Sequence, residues 1–383
     1  MDVPARASTV IIGGGVMGTS IAFHLAEAGV RDIVLIEADQ LGSGSTSKAA
    51  GGVRLQFSDA VNIELALRSM DAFERFAQRP GGDISLRQVG YLMLLTDPTD
   101  VDTFTANVRL QNEMGVPSRM LTAREAGALA PLANVDDVLA ASFCARDGHA
   151  DTGAVVRGYA DAARQLGVRI ITGATVTAVE RDDREITAVV AAHRRIETDT
   201  IICAAGPWSG GVGALAGVDL PVVPVRRPVW YTEPIADLPS DHPFTIDFTT
   251  GFYFHEEGPG LLFGMADPDQ PPGFDVELRP DWLEVVAEVA ARRAPRLADV
   301  GIAGGWSGFY ETTPDHNAVI GSARGVPRFF YATGFSGHGF LLGPAVGEVV
   351  RDLVLDRRPV VDVSAFSAER FSVSSGRPER NII

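Results

Sequence analysis

A glycine-rich turn between a short apolar strand and a helix constrains the fold of this chain more than any other feature. Residues 9–12 form a largely β-branched apolar run, and three glycines follow it with the spacing G-x-G-x-x-G. Apolar residues then recur at the helical period over residues 16–28, and a second apolar run ends at Glu37. This order predicts a βαβ dinucleotide-binding unit rather than a glycine-rich turn without a ligand.

Each glycine of this turn has its own physical role. Gly13 permits the tight turn, Gly15 lets the backbone approach a pyrophosphate, and Gly18 lets the helix pack closely against the strand. The helix N-terminus offers free N–H groups and the positive end of its dipole to the anion. Glu37 can accept hydrogen bonds from ribose hydroxyls, and its charge disfavours the 2′-phosphate of NADP. These residues alone leave NAD and FAD as alternatives.

Composition excludes several classes of function. The chain has 33 Lys and Arg against 49 Asp and Glu, a net charge of −16, which disfavours nucleic acid and anionic membrane surfaces as partners. The two cysteines, Cys144 and Cys203, form no C-x-x-C pair, so neither a disulfide framework nor a metal site is expected. The sequence shows no signal-peptide pattern and no apolar run of membrane-spanning length, so we expect a cytoplasmic protein.

A length of 383 residues predicts two domains, and apolar periodicity predicts the elements within them. A strand is expected over residues 84–95, three short strands within 174–206, and a second, antiparallel sheet from residues 220–275. Helices are expected over residues 59–79, 101–129, 152–166, 280–293 and 341–354.

A second informative segment is the long Gly/Ser loop at residues 40–53, which contains Lys48, the only lysine in the chain. Its hydroxyls and N–H groups can bind phosphates, and its small residues let the backbone approach an isoalloxazine ring. These residues alone leave open whether Lys48 faces the ligand of this loop or is an ordinary solvent-facing lysine.

The chain as a whole resembles the D-amino-acid-oxidase superfamily of flavoproteins. Within it, the sequence is most similar to the branch of sarcosine oxidases, dimethylglycine dehydrogenase and the catalytic subunits of dye-linked proline dehydrogenases. The resemblance implies FAD rather than NAD as the cofactor. It rests on five segments in the same order, VIIGGGVMGTSIAFHLAEAG, GSGSTSKAAGGVR, TIICAAGPWS, GFYETTPDHNAVIG and ATGFSGHGFLLGPAVGE.

The resemblance also implies the fold. We expect an α/β architecture in which a Rossmann-like FAD-binding domain of the glutathione-reductase type is interleaved with an α+β substrate domain built on an antiparallel sheet. The FAD-binding domain is expected to comprise residues 1–80, 145–219 and 305–383, and the substrate domain residues 81–144 and 220–304.

The resemblance assigns the residues that contact FAD and implies that the flavin is bound non-covalently. Relatives with covalent flavin attach it to a histidine where this chain has Lys48, or to a cysteine where it has Gly308. The helix over residues 341–354 matches one whose N-terminus points at the flavin. The expected cofactor contacts are Gly13, Gly15, Val16, Met17, Gly18, Glu37, Ala38, Gly44, Ser45, Thr46, Lys48, Ala49, Ala50, Gly51, Val176, Ala205, Gly206, Trp208, Gly334, Gly337, His338, Gly339, Phe340 and Leu341.

The resemblance further implies a substrate site. Arg54 matches an arginine that binds the substrate carboxylate in sarcosine-oxidase relatives, a task that suits a guanidinium. Tyr310 matches an active-site tyrosine, and Tyr253 and His255 are expected in the roof of the site. The candidate catalytic residues are Lys48, Arg54, Tyr310 and His338, with cofactor contact favoured over catalysis for His338.

Three residues depart from the sarcosine-oxidase pattern. Leu262 stands where those oxidases carry an oxygen-activating lysine, Ala266 replaces a histidine, and Leu341 replaces a carboxylate-binding lysine. The departures favour a dehydrogenase over an oxidase, although Lys48 could take the lost role from the other side of the ring. Oxygen and another electron acceptor both stay open, as does a requirement for partner subunits.

The expected function is FAD-dependent oxidation of a secondary or N-methylated amino acid, such as sarcosine or proline, to an imine. In that reaction a hydride passes from the α-carbon to flavin N5. One alternative is a D-amino-acid or glycine oxidase or dehydrogenase on the same fold. Alternatives of other classes are a non-catalytic flavin-binding subunit or assembly factor, and a plain NAD dehydrogenase.

Overall fold

The predicted βαβ unit lies at the centre of a six-stranded sheet in the computed structural model, which describes residues 3–183, 185–373 and 378–381. The strands within these ranges are β1 (Thr9–Ile12), β2 (Ile33–Ile36), β3 (Gly52–Val53), β4 (Tyr91–Leu95), β5 (Arg119–Leu121), β6 (Ala140–Cys144), β7 (Gly148–His149), β8 (Arg169–Ile171), β9 (Val176–Asp182), β10 (Glu185–Ala191), β11 (Arg194–Glu197), β12 (Ile201–Cys203), β13 (Val223–Thr232), β14 (Phe244–Asp247), β15 (Phe252–Glu257), β16 (Gly260–Gly264), β17 (Ile302–Thr312), β18 (Val319–Ser322) and β19 (Phe329–Thr333). The helices are α1 (Val16–Glu27), α2 (Ser45–Lys48), α3 (Ala60–Glu74), α4 (Pro98–Glu113), α5 (Ala123–Leu129), α6 (Thr152–Gln165), α7 (Ser209–Leu215), α8 (Pro280–Arg293), α9 (Gly339–Val354) and α10 (Arg370–Val373).

The six-stranded sheet has the order β18-β19-β12-β1-β2-β8, and only the edge strand β18 is antiparallel to its neighbour. Its central strands are continuous apolar runs because both faces of a parallel sheet are covered. Ile12 pairs with Ile36 on one side and with Cys203 on the other. The residues that follow these three strands therefore meet at one edge of the sheet, where α/β folds bind ligands.

Helices cover one face of this sheet and a small antiparallel sheet covers the other. Helices α1, α3, α6 and α9 pack into one buried apolar cluster, and strands β9 to β11 with α7 enclose a second. The contact between α1 and α9 is close, because a Cβ atom on Gly347 would lie 2.2 Å from Ser20 Oγ. This contact fixes the N-terminus of α9 relative to the glycine turn.

The second large sheet has eight strands in the order β17-β13-β16-β15-β14-β4-β6-β5. Neighbouring strands are antiparallel except β14 and β4. The long strands β13 and β17 pair from Val223 with Thr312 to Thr232 with Ile302, so residues 305–312 continue this sheet rather than the first. Two layered sheets of these kinds confirm the predicted fold class.

Three element predictions were wrong in their extent. The helix expected over residues 101–129 is interrupted, because Gly115 adopts a φ of 91° and Pro117 follows it, so β5 separates α4 from α5. The strand expected over residues 84–95 begins only at Tyr91, with one isolated bridge from Arg87.

The helix expected over residues 59–79 is shorter than predicted. It begins after Asp59, whose carboxylate accepts a hydrogen bond from the Val61 N–H, and it ends at Glu74. A short π-helical turn that contains Pro80 follows it. Among the residues described, no helix combines the length and apolarity that a bilayer crossing requires.

His24 on α1 makes the stability of the α1–α9 contact depend on pH. The ring is buried, its Nδ1 lies 2.8 Å from Ser20 O, and burial lowers the pKa of His24 to about 3. The carboxylate of Glu348 lies 3.8 Å from the ring, but it is engaged by Arg68, so the cost of burying a charge prevails and the imidazole stays neutral.

We therefore predict that acidification weakens the fold through His24. Its folded pKa lies below the unfolded value of 6.5, so the unfolded state binds the extra proton and stability is lost as pH falls below 6.5. Between pH 7 and pH 5 the loss from this residue is about 2 kcal/mol. Urea unfolding of wild type and His24→Gln at both pH values measures it.

The matched control for this measurement is His193→Gln, which removes an exposed imidazole from the turn between β10 and β11. This control should keep the wild-type loss of stability on acidification, whereas His24→Gln should reduce it. Equal pH dependence in all three proteins would show that folding does not change the pKa of His24.

Candidate cofactor and substrate site

A cavity of about 740 Å³ extends between the glycine turn of the first sheet and the strands of the second. All the predicted cofactor residues line it except Gly18 and Gly334. Gly334 instead packs against Thr313 outside the cavity lining. Its φ of 72° is a backbone conformation that favours glycine. Within the described residues, no cluster of three or more His, Cys, Asp or Glu could hold a metal ion.

The glycine turn brings three backbone segments into direct contact. A Cβ atom on Gly13 would lie 2.2 Å from Ala204 O, and one on Gly18 would lie 1.8 Å from Gly13 O. Gly18 therefore acts through packing and not through the cavity. No side chain caps the helix from Gly15, and the Val16 N–H is 3.2 Å from Thr46 Oγ1. The α1 N-terminus is thus open to an anion.

Glu37 is hydrogen-bonded to the backbone of the glycine turn and of the residues after β2. Its carboxylate accepts hydrogen bonds from the N–H groups of Gly14, at 2.6 Å, and Asp39, at 2.9 Å. Each carboxylate oxygen retains acceptor capacity toward the cavity. Glu37 can therefore bind ribose hydroxyls while it fixes the conformation of the glycine turn.

The small-residue loop is tied to β17 of the second sheet. Ser45 donates to the carbonyl of Phe309 at 2.7 Å, and Trp306 Nε1 donates to the carbonyl of Lys48 at 2.9 Å. Gly308 makes this approach possible, because a Cβ atom there would lie 2.6 Å from Lys48 Cβ. The Lys48 side chain is exposed at the cavity rim, and no carboxylate of the described residues lies within salt-bridge distance of it.

The end of the cavity at the second sheet is an aromatic chamber, defined by Tyr91, Phe244, Tyr253 and Tyr310. Tyr91 stacks on Phe244 with ring centroids 4.3 Å apart, and Phe244 stacks on Tyr253 at 5.6 Å. Arg227 on β13 places its guanidinium carbon 4.8 Å from the centroid of the Tyr310 ring. The chamber therefore combines apolar walls with a cation.

Arg54 and His338 form a buried pair at the border of this chamber. Arg54 Nη2 lies 2.8 Å from His338 Nε2, and since a guanidinium can only donate, the imidazole nitrogen accepts. Burial, reinforced by the Arg54 charge, lowers the pKa of His338 well below its usual value. His338 is consequently neutral, with its proton on Nδ1.

Glu311 is a cavity residue that sequence reasoning missed. Its side chain lines the cavity beside Gly206 and Gly339 and accepts a hydrogen bond from Thr333 Oγ1 at 2.8 Å. Burial raises the pKa of Glu311 to about 7, so near neutral pH it can present either a donor or an acceptor. No local sequence signal identifies it, because its burial depends on α9 and the first sheet.

The structure places His255 outside the cavity, behind the chamber wall. Its ring stacks on Phe244 at 4.5 Å, and its Nδ1 lies 2.8 Å from Glu256 O. Leu262, opposite His255 in the sheet, is also absent from the cavity lining, as is Ala266. Substrate contact by His255 is therefore not supported, because the aromatic ring of Phe244 stands between it and the chamber.

Arg227, Tyr91 and Phe244 also line the cavity and were not predicted. A partial signal exists for Arg227: side chains alternate between the faces of a strand, so one member of the pair Arg226 and Arg227 must face the cavity. The sequence does not show which one. The structure shows Arg227 toward the chamber, whereas Arg226 bonds to Asp275 at 2.7 Å.

Comparisons with known proteins agree with this geometry. Dimethylglycine dehydrogenase, mitochondrial, of Rattus norvegicus is 31% identical over 386 residues, covering 96% of this chain and 45% of that protein. The crystal structure of L-proline dehydrogenase from P. horikoshii matches with a TM-score of 0.91 and 31% identity, covering 97% of this chain and 99% of that one. Glycine oxidase from Geobacillus kaustophilus matches with a TM-score of 0.86 and 26% identity, covering 96% and 99%.

The chain spans less than half the length of the mitochondrial dimethylglycine dehydrogenases to which it is similar. The family described as DAO, FAD dependent oxidoreductase, matches residues 8–353. Because this match covers most of the sequence, the predicted resemblance is confirmed, and the protein belongs to the DAO family of FAD-dependent oxidoreductases.

Proposed function

We propose that this protein oxidises a secondary or N-methylated amino acid to an imine, using non-covalently bound FAD. One observation carries the proposal: a single cavity joins the dinucleotide turn to an aromatic chamber that contains a guanidinium with no carboxylate within salt-bridge distance among the described residues. The names of the relatives, dimethylglycine dehydrogenase and L-proline dehydrogenase, support the same class of substrate.

The residues that line the cavity fit FAD. The N-terminus of α1 and the hydroxyl of Thr46, whose hydrogen is not used by the Val16 N–H that it accepts from, suit the pyrophosphate, and Glu37 suits the adenosine ribose. The glycines of the loop and of the segment before α9 leave backbone free to approach a flat ring. FAD, when bound, supplies a hydride acceptor at its N5 atom.

The side chains of the chamber orient a substrate and exclude water. Burial raises the pKa of Tyr253 and of Tyr310, so both phenols stay protonated and can donate hydrogen bonds. Tyr91 and Phe244 supply apolar surface that suits a methyl group or a pyrrolidine ring. A dry chamber strengthens every polar contact that a bound amino acid makes.

We propose a dehydrogenase rather than an oxidase. The second sheet presents no lysine to the cavity, and at Gly264 on β16 a Cβ atom would lie 2.5 Å from the Tyr253 hydroxyl, which fills the space of a side chain there. Lys48 at the opposite rim is the residue that could still assist oxygen chemistry. The resemblance to the catalytic subunits of dye-linked proline dehydrogenases leaves partner subunits as part of the proposal.

We predict that sarcosine, dimethylglycine or L-proline reduces the bound flavin in the absence of oxygen. Stopped-flow absorbance should show bleaching at about 450 nm with at least one of these amines. Faster bleaching by glycine or a D-amino acid would favour the alternative suggested by the glycine oxidase structure. A flavin that no amine bleaches would contradict the proposed function. Slow recovery in air, with rapid recovery on adding a dye, would identify a dehydrogenase.

Non-covalent binding leads to a second expectation. Neither Lys48 nor Gly308 can form the histidyl or cysteinyl links of covalent relatives, so acid precipitation should leave all the flavin in the supernatant. Absorbance of the supernatant and flavin fluorescence of the denatured protein in a gel measure the two fractions. A fluorescent protein band would contradict the prediction.

The role of Glu37 can be tested through cofactor affinity alone. Glu37→Ala removes the acceptor of the Gly14 N–H and the proposed ribose ligand, so FAD should bind about 10- to 100-fold more weakly. Fluorescence titration of the apoprotein with FAD gives the Kd. Glu64→Ala, which removes an exposed carboxylate from α3, is the matched control. Equal affinity in Glu37→Ala and the control would exclude the ribose contact.

A further inference from the structure

Arg54 has little hydrogen-bonding capacity left for a substrate. A guanidinium carries five N–H bonds, two of them on Nη2. Both Nη2 hydrogens are engaged, one by His338 Nε2 at 2.8 Å and one by Asn381 O at 2.5 Å, and Nη1 donates to Gln56 O. A carboxylate is held by two parallel bonds along one edge of the guanidinium, and both suitable edges include Nη2. Arg54 therefore presents no free edge.

The partners of Arg54 are themselves fixed. Asn381 is buried, accepts a hydrogen bond from Asn107 at 2.9 Å and donates to Gln56 O at 3.2 Å. The Phe57 ring covers the guanidinium with its centroid 4.5 Å away. Releasing Nη2 for a substrate would leave the buried Asn381 carbonyl and His338 Nε2 without their donor, which is unfavourable. Arg54 is therefore a positioning residue, which holds His338 and Asn381 in place through its Nη2 hydrogen bonds.

Arg227 shows the opposite pattern. Its described hydrogen bond runs from Nη1 to Arg226 O at 3.0 Å, and its Nε is buried without a partner. The edge formed by Nε and Nη2 is consequently free among the residues that the structure describes. No described carboxylate lies within 4.0 Å of the group. Burial lowers the pKa of Arg227, as it does that of Arg54, and the charge of Asp267 acts on Arg227 in the opposite direction.

The surroundings of this free edge suit a carboxylate. The guanidinium lies over the Tyr310 ring, and Tyr253 lines the same chamber, so two phenolic O–H donors are near the cation. Glu37, Asp39 and Glu311 are the acidic residues of the cavity lining, and none of them pairs with Arg227. A negatively charged group would satisfy the orphaned Nε and neutralise the buried charge together.

We infer that Arg227, rather than Arg54, binds the substrate carboxylate through its free Nε and Nη2 edge. This inference rests on the proposed function, because it names the ligand of an amino-acid substrate in the same chamber. It makes Arg227 the residue by which the protein selects amines that carry a carboxylate. A secondary amine without that group would leave the cation buried and uncompensated.

The test uses binding of carboxylates that cannot be oxidised, so it does not depend on turnover. The flavin-loaded protein is titrated with pyrrole-2-carboxylate and with acetate, and separately with their carboxamides, which match them in shape but lack the charge. Calorimetry and the change in the flavin spectrum give the affinities. The measured quantity is the ratio of carboxylate affinity to carboxamide affinity.

Arg227→Gln should reduce this ratio by about 10- to 100-fold, and Arg227→Lys should recover part of it through charge without the two-bond edge. Arg226→Gln is the matched control, since that neighbour faces away and bonds to Asp275 and Gln270. The control should keep the wild-type ratio. Arg54→Gln should lower thermal stability and yet retain a preference for the carboxylate.

Two results would overturn the inference: an unchanged ratio in both Arg227 variants, or loss of the preference in Arg54→Gln while Arg227→Gln keeps it. Failure of the proposed function appears elsewhere, as a flavin that no amine reduces. If carboxylates still bind in a manner that depends on Arg227 in that case, the inference holds and the assigned reaction does not.

Discussion

The close contact of α1 with the turn after β1 is the constraint on which the rest of the structure depends. Backbone atoms meet where Gly13, Gly18 and Ala204 come together, and a Cβ atom at either glycine would lie within about 2.2 Å of a carbonyl oxygen. Helix α9 packs closely against α1 at Gly343, where a Cβ atom would lie 2.7 Å from the Val16 side chain. Two helix N-termini are thereby fixed around one cavity: the first N–H of α1 donates to Thr46 Oγ1, and α9 has no side-chain cap among the described residues.

Strand β17 connects this cofactor end to the substrate end. It belongs to the large sheet, yet its Phe309 carbonyl accepts from Ser45 and its Trp306 side chain donates to the Lys48 carbonyl, both in the small-residue loop. Farther along it, the Tyr310 ring packs beneath Gly337, where a Cβ atom would lie 2.5 Å from the ring. One strand thus contacts the loop, the segment before α9 and the chamber. The distance between the two ends of the cavity is consequently set by a rigid element rather than by a flexible linker.

Local rules explain why much of this could be predicted from the sequence. The glycine spacing, the apolar runs and the acidic residue after β2 each report on contacts within about thirty residues, and the predicted βαβ unit was found. The break between α4 and α5 had a local signal as well, in Gly115 and Pro117, but the apolar period outweighed it in our prediction.

The substrate end could not be predicted in the same way. One of the two Nη2 hydrogens of Arg54 is taken by the carbonyl of Asn381, 327 positions later in the chain, so that hydrogen cannot bind a carboxylate. No sequence pattern indicates that contact. The adjacent pair of arginines on β13 leaves the face of each undetermined, because the sequence does not fix which residue of a strand begins on which side. The pKa of Glu311 likewise depends on burial by elements distant in sequence.

The cationic side chains of the cavity are concentrated at its substrate end. The chain is acidic overall, yet the cationic side chains that line its cavity are Lys48, Arg54 and Arg227, and the two arginines lie at the chamber end. The dinucleotide end relies on backbone N–H groups, a helix dipole and the hydroxyls of the loop for the phosphates. Phosphates and substrate carboxylate are therefore recognised by different chemistry. A guanidinium in the chamber can stay uncompensated until an anionic substrate arrives, without competing for the charge of the cofactor.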